Sequence, residues 1–87
     1  MQNQTDLLLR QILTDVLGLQ DGQAASFVEE TGLFGHLPEL DSMAVAGLLT
    51  EMEDRLDILI EDDDIDGEML ETYGSLLAFA EAKREGS

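Results

Sequence analysis

The 87 residues include twenty acids against four bases, a formal net charge of −16, with 44% hydrophobic residues and no cysteine. A chain this short makes one domain with a radius of gyration of about 12 Å and buries only about 60–65% of its unfolded surface, so a large enclosed catalytic cavity is excluded. The charge excludes direct binding to phosphate backbones or anionic membrane surfaces, and the lack of cysteine excludes a disulfide framework and any thiolate ligand or nucleophile.

The opening "MQNQTDLLLRQ" has neither a basic nor a long apolar segment and does not read as a signal peptide. No apolar run approaches the roughly 20 residues of a membrane span, so a soluble, cytoplasmic monomer is expected. Helix one is predicted over about 5–17, where Leu9, Ile12, Leu13 and Val16 fall on one face, Asp6 stands as its cap and Gly18 as its stop. Residues 18–41 show no sustained period and contain four glycines (Gly18, Gly22, Gly32 and Gly35) and Pro38 up to "GHLPELD", which predicts a long loop. A connection over 20 residues long is uncommon in a compact domain and points to function. Phe27, Val28, Leu33, Phe34 and Leu37 are expected to pin it to the core.

Helix two is predicted over 42–59, with Val45, Leu48, Leu49, Met52, Leu56 and Leu59 as its buried stripe and Asp41 as its N-cap. Ser42 then stands in the first turn, at the positive end of the helix dipole. Met43, Ala46 and Gly47 point away from the stripe, followed on that side by Thr50, Asp54 and Asp57. Two placements suit Met43: against a partner or a group attached nearby, or folded under the loop against Leu37 or Leu40. From Asp57 to Glu71 there are eight acids and no base, and such a run seeks basic partner surfaces. A short helix is predicted over about 66–71 and a last one over 73–84, with Tyr73, Leu76, Leu77 and Ala80 inward and Lys83 and Arg84 at its negative end. The fold class is all-α: three main helices, one short helix and one long connection.

Three chemistries compete for these residues. A nucleophile elbow needs G-x-S-x-G after a strand, and "LDSMA" offers neither glycine nor strand. The only histidine, His36, lies in the loop with no third group to orient it as a base for Ser42. Asp62, Asp64, Asp66 and Gly67 match the opening of an EF-hand loop, but its twelfth position, where a bidentate Glu is required, is Tyr73. No dedicated metal site and no catalytic residue are therefore expected. The third chemistry is attachment: a phosphodiester on Ser42 would set its anion against free amides and a positive dipole, leaving whatever lies beyond it free to swing.

With that reading the chain resembles the acyl carrier protein family. Asp41-Ser42-Met43 is similar to the family's Asp-Ser-Leu at the start of helix two, "EMEDRLDILI" (51–60) to its acid-rich end of that helix, and "TYGSLLAFA" (72–80) to its closing pattern. "FVEETG" resembles the approach to the serine, and the resemblance runs from helix one to about Lys83. It implies that a phosphopantetheinyl transferase attaches 4′-phosphopantetheine from coenzyme A to Ser42, making the chain a phosphoprotein, and that the arm's thiol holds an acyl group as a thioester. It implies that Asp41 and Met43 flank the cofactor, and that Leu40, Ala46, Gly47, Glu53, Asp54 and Asp57 meet partners: the transferase, an acyl-loading ligase or acyltransferase, and a ketosynthase or other acyl-transfer enzyme. It also implies a non-catalytic shuttle in a fatty-acid, polyketide or specialised acyl-transfer pathway. The chain departs from the family pattern at Glu39, where a glycine is common, and at Ala44 and Gly47, where fatty-acid carriers bear acids. Those departures favour a specialised carrier loaded by an adenylate-forming ligase. An aminoacyl or peptidyl carrier, and an acidic helical interaction module with weak divalent-cation binding, are the alternatives.

Overall fold

The computed structural model describes residues 4–86, with three α-helices: α1 (Gln4–Leu17), α2 (Ser42–Leu56) and α3 (Tyr73–Gly86). Two single 3-10 turns, Ala24–Ser26 and Asp62–Asp64, lie in the connections. The radius of gyration is 11.7 Å, close to that of a single packed domain of this length. One core joins Leu9, Ile12 and Leu13 of α1, Leu48, Met52 and Leu56 of α2, and Tyr73, Leu76 and Ala80 of α3. No helix among the described residues is long and apolar enough to cross a membrane.

Helix α1 begins before Asp6, which therefore lies inside the first turn instead of capping it. Its carboxylate is drawn inward, where Oδ1 accepts from Arg10 Nε at 2.9 Å and from the Tyr73 hydroxyl. Arg10 also donates to the loop carbonyls of Ala24 (2.6 Å) and Phe27 (3.0 Å), so one guanidinium ties α1 to the connection. At the other end Gly18 adopts φ +65°, and the Leu19 amide reaches back to Thr14 O at 3.1 Å. This is the left-handed, six-to-one closure that ends a helix, with Leu19 buried behind it.

The long connection is held by the segment before α3. Leu33 N donates to Glu71 O and Phe34 N to Leu70 O, both at 2.9 Å, while Tyr73 N donates to Thr31 O at 2.8 Å and Gly74 N to Glu29 O at 3.0 Å. A Cβ on Gly74 would sit 3.0 Å from Glu29 O, so a glycine suits this approach of loop to helix. Phe27, Leu33 and Leu40 are buried and Leu37 packs half-buried on the core. Val28 and Phe34, expected as anchors, are instead exposed: Val28 opens the turn closed by Thr31 N and Phe34 lies in the turn closed on Leu33 O, so backbone bonds fix this stretch while both side chains face outward.

Helix α2 stops at Leu56, not at Leu59, because Asp57 turns left-handed (φ +55°) and the amides of Asp57 and Ile58 both close on Glu53 O. The stripe consequently ends on Ile58, and Leu59 is exposed. A non-glycine residue in this conformation is strained. Asp57→Gly is therefore expected to raise stability by about 0.5–1 kcal/mol, as read from the urea midpoint; an unchanged or lower midpoint would show that Asp57 bears no strain.

The short helix expected over 66–71 does not form. The Asp66 carboxylate captures the Met69 amide at 2.9 Å, and the carbonyls of Leu70 and Glu71 are taken by the loop. The segment instead makes a 3-10 turn earlier, at Asp62–Asp64, and then a run of turns that buries Met69 and Leu70. Thr72 caps α3, its hydroxyl oxygen accepting from Ser75 N at 3.1 Å.

Candidate functional site

Asp41 holds an extended backbone (φ −102°, ψ −175°) and stands as N-cap of α2, its carboxylate accepting from Ala44 N at 2.8 Å. Its own carbonyl takes the first helical bond, from Val45 N at 2.9 Å. Ser42 is the first helical residue and is exposed. The first-turn amides of any helix lack intrahelical acceptors, and α2 has no acid inside its first turn. An anion on the Ser42 hydroxyl therefore meets a positive helix end with only the cap carboxylate beside it.

The cap supplies a separable prediction. Asp41→Ala should cost about 1 kcal/mol of stability through the lost bond to Ala44 N, whereas Asp41→Asn keeps an acceptor and should stay within a few tenths of wild type. Thermal melts of the two variants check this; equal losses would mean that the negative charge, not the cap, stabilises the helix.

Around the serine the structure separates the expected site residues. Met43 is 85% exposed, which decides between its two placements in favour of the surface. Ala46, Gly47 and Thr50 are exposed beyond it, so the first half of this face is uncharged. Leu40 is only 4% exposed: it pegs the loop to the core two residues before Ser42 and presents almost no surface to a partner. Glu53 is half-buried, and its Oε2 accepts from Ile60 N at 2.9 Å, which ties down the chain after α2. Asp54 and Asp57 are exposed, about 18 Å and 22 Å along the axis from Ser42 at 1.5 Å per residue.

His36 is exposed in the loop, and its ring lies over Gly32, where a Cβ would come within 2.4 Å of the imidazole. Among the described residues it makes no hydrogen bond to Ser42. With Phe34, Gly35, Leu37, Pro38 and Leu40 it lines an open depression in the loop that leads to the serine. The EF-hand-like aspartates do not converge. Asp64 accepts from Glu61 N and pairs with Lys83, contacts that hold its carboxyl below the usual range, the lysine contributing most. Asp66 is taken by Met69 N, and Tyr73 is buried. Among the described residues no group of three or more His, Asp or Glu side chains is placed to hold a metal ion.

All four bases are committed within the chain: Arg10 to Asp6 and the loop, Arg55 to Asp15 (2.7 Å) and Glu51 (3.6 Å), Lys83 to Asp64, and Arg84 to the Thr5 hydroxyl (2.9 Å). The surface that a partner meets is therefore overwhelmingly acidic beyond the neutral first turns of α2.

Fold and serine together describe a carrier domain: a small helical scaffold that presents one hydroxyl at a positive helix end on an acidic body. Comparison with known proteins gives the same class. A holo acyl carrier protein of Nitrosomonas europaea, solved in solution by NMR, superposes with a TM-score of 0.84 at 38% sequence identity, covering 95% of this chain and 99% of that one. No family model and no curated protein sequence matches the chain. At that identity and coverage the chain belongs to the acyl carrier protein family.

Proposed function

We propose that Ser42 is the attachment point of a 4′-phosphopantetheine arm, placed there from coenzyme A by a phosphopantetheinyl transferase, and that the chain acts as a non-catalytic acyl shuttle in the cytoplasm. The observation that carries this is the exposed Ser42 as first residue of an Asp41-capped helix, in a chain 38% identical to a holo carrier. The residues present fit such a group: the first-turn amides of Ser42 and Met43, which lack intrahelical acceptors, would hold its phosphate, while Asp41 is engaged with Ala44 N. The arm supplies the thiol that holds cargo as a thioester, which this cysteine-free chain does not provide itself.

Partners close on the α2 face, over the neutral patch first and the acids of its second half after it. Basic enzymes of acyl loading and transfer meet such a surface quickly and leave it readily, and their docking weakens with salt. The uncharged patch at Ala46 and Gly47 supports a carrier of a specialised acyl pathway, loaded by an adenylate-forming ligase, over the fatty-acid housekeeping carrier. The test is the intact mass before and after incubation with coenzyme A and a broad-specificity transferase. A gain of one phosphopantetheine, located by fragmentation to the peptide containing Ser42, supports the reading. An unchanged mass with several transferases, or a gain elsewhere, overturns it.

A further inference from the structure

The chain has four methionines and no cysteine, so its oxidisable sulfur is all thioether. Met52 is 0% and Met69 6% exposed, both within the core, while Met43 is 85% exposed and adjoins Ser42. Met43 is thus by far the most exposed of the three described thioethers, and it stands on the uncharged stretch of α2 formed with Ala46, Gly47 and Thr50.

We propose that Met43 is a reversible oxidation site that regulates modification of Ser42; this rests on the carrier reading above. The oxidant is a peroxide. The Met43 sulfur attacks one peroxide oxygen, the O–O bond breaks, the sulfur gains that oxygen as a sulfoxide, and the other oxygen leaves as hydroxide and is protonated to water. The sulfur is oxidised by two electrons and the peroxide reduced by two. A methionine sulfoxide reductase supplied with a dithiol reverses the step, giving thioether, disulfide and water. Exposure makes the attack selective, because the core side chains screen Met52 and Met69 from solvent.

The consequence follows from position. A partner that reaches the Ser42 hydroxyl covers Met43, the largest apolar side chain on that stretch. As a thioether it is buried favourably. As a sulfoxide it carries a strongly polar oxygen that must be desolvated in a contact built for an apolar group. The fold itself does not depend on the change, since the side chain stands in solvent at an exposed position of the first turn.

The test uses the full chain treated with limiting hydrogen peroxide. Cleavage after Glu51 separates Met43 from Met52, so fragment masses place each added oxygen. Met43 is expected to convert while Met52 and Met69 remain thioethers, with an unchanged melting temperature. Oxidation of all three at similar rates overturns the selectivity. Phosphopantetheine transfer is then timed on oxidised and reduced protein; on the order of a fivefold slowing is expected from covering an unpartnered polar oxygen. Reductase treatment restores the rate, and Met43→Leu, whatever its own rate, should not respond to peroxide. Equal rates for the oxidised and reduced forms, or a Met43→Leu protein that peroxide still slows, overturn the switch alone. No transfer to either form overturns the carrier reading itself, and the switch with it.

Discussion

Asp6→Ala is expected to lower stability by about 3 kcal/mol, because it removes the anion that joins the buried Tyr73 to the half-buried Arg10. Asp6 is 7% and Tyr73 1% exposed, and the Arg10 side chain is 14% exposed, with its guanidinium 4.6 Å from the centre of the Tyr73 ring. Phe27 closes the cluster at 5.8 Å from that ring. With the carboxylate gone, the guanidinium keeps its bonds to the loop carbonyls, and the phenol is left with the Asp6 main-chain oxygen at 3.2 Å as its acceptor. Domains of this size are stable by about 5–15 kcal/mol, so the melting temperature should fall by more than about 10 °C. A loss under about 1 kcal/mol would show that Arg10 holds the loop without Asp6. Tyr73→Phe keeps the ring packing and should cost only about 1 kcal/mol.

The same cluster sets a pH dependence. Burial, and then the bond to Asp6, push the Tyr73 phenol well above its ordinary value. A group whose pKa is raised in the folded state stabilises fully below its unfolded pKa, here about 10, and that contribution is lost as pH rises through the folded value. Wild type should therefore lose stability above about pH 10 more steeply than Tyr73→Phe. Parallel alkaline slopes would mean that the phenol titrates alike in both states.

This cluster also shows where the sequence stops being readable. Asp6 near a helix start reads as a cap, since short polar side chains usually serve the nearest free amides. Only the packing of α3 against α1, 67 residues away in sequence, turns it inward to Tyr73. Glu53 reads as a surface acid for the same reason, until the stop at Asp57 brings Ile60 N back to its carboxylate. Strong local signals fared better. The three apolar stripes locate the three helices, and Asp41 before a periodic run marks the start of α2. Helix ends were less legible: α2 stops three residues early through a left-handed aspartate, with no glycine to announce it. The segment 66–71 has helical composition, but its carbonyls are taken by the loop through long-range pairing that no local pattern records.

Ser42→Ala is expected to abolish phosphopantetheine transfer while leaving stability within about 0.5 kcal/mol of wild type. The hydroxyl is exposed and makes no hydrogen bond among the described residues, and Ala is the better helix former at this position. The other described serines are committed elsewhere. Ser26 Oγ donates to Gln23 O at 2.6 Å, and Ser75 Oγ lies 2.8 Å from the Thr72 hydroxyl in the cap of α3. Neither begins an α-helix, so neither offers a phosphate the free amides and dipole that Ser42 does. Intact mass and a thermal melt on the same sample decide the matter together. Lost transfer with an unchanged melt assigns the arm to the Ser42 oxygen. Lost transfer with a lowered melt would make Ser42 part of the scaffold, and retained transfer would move the attachment to another residue.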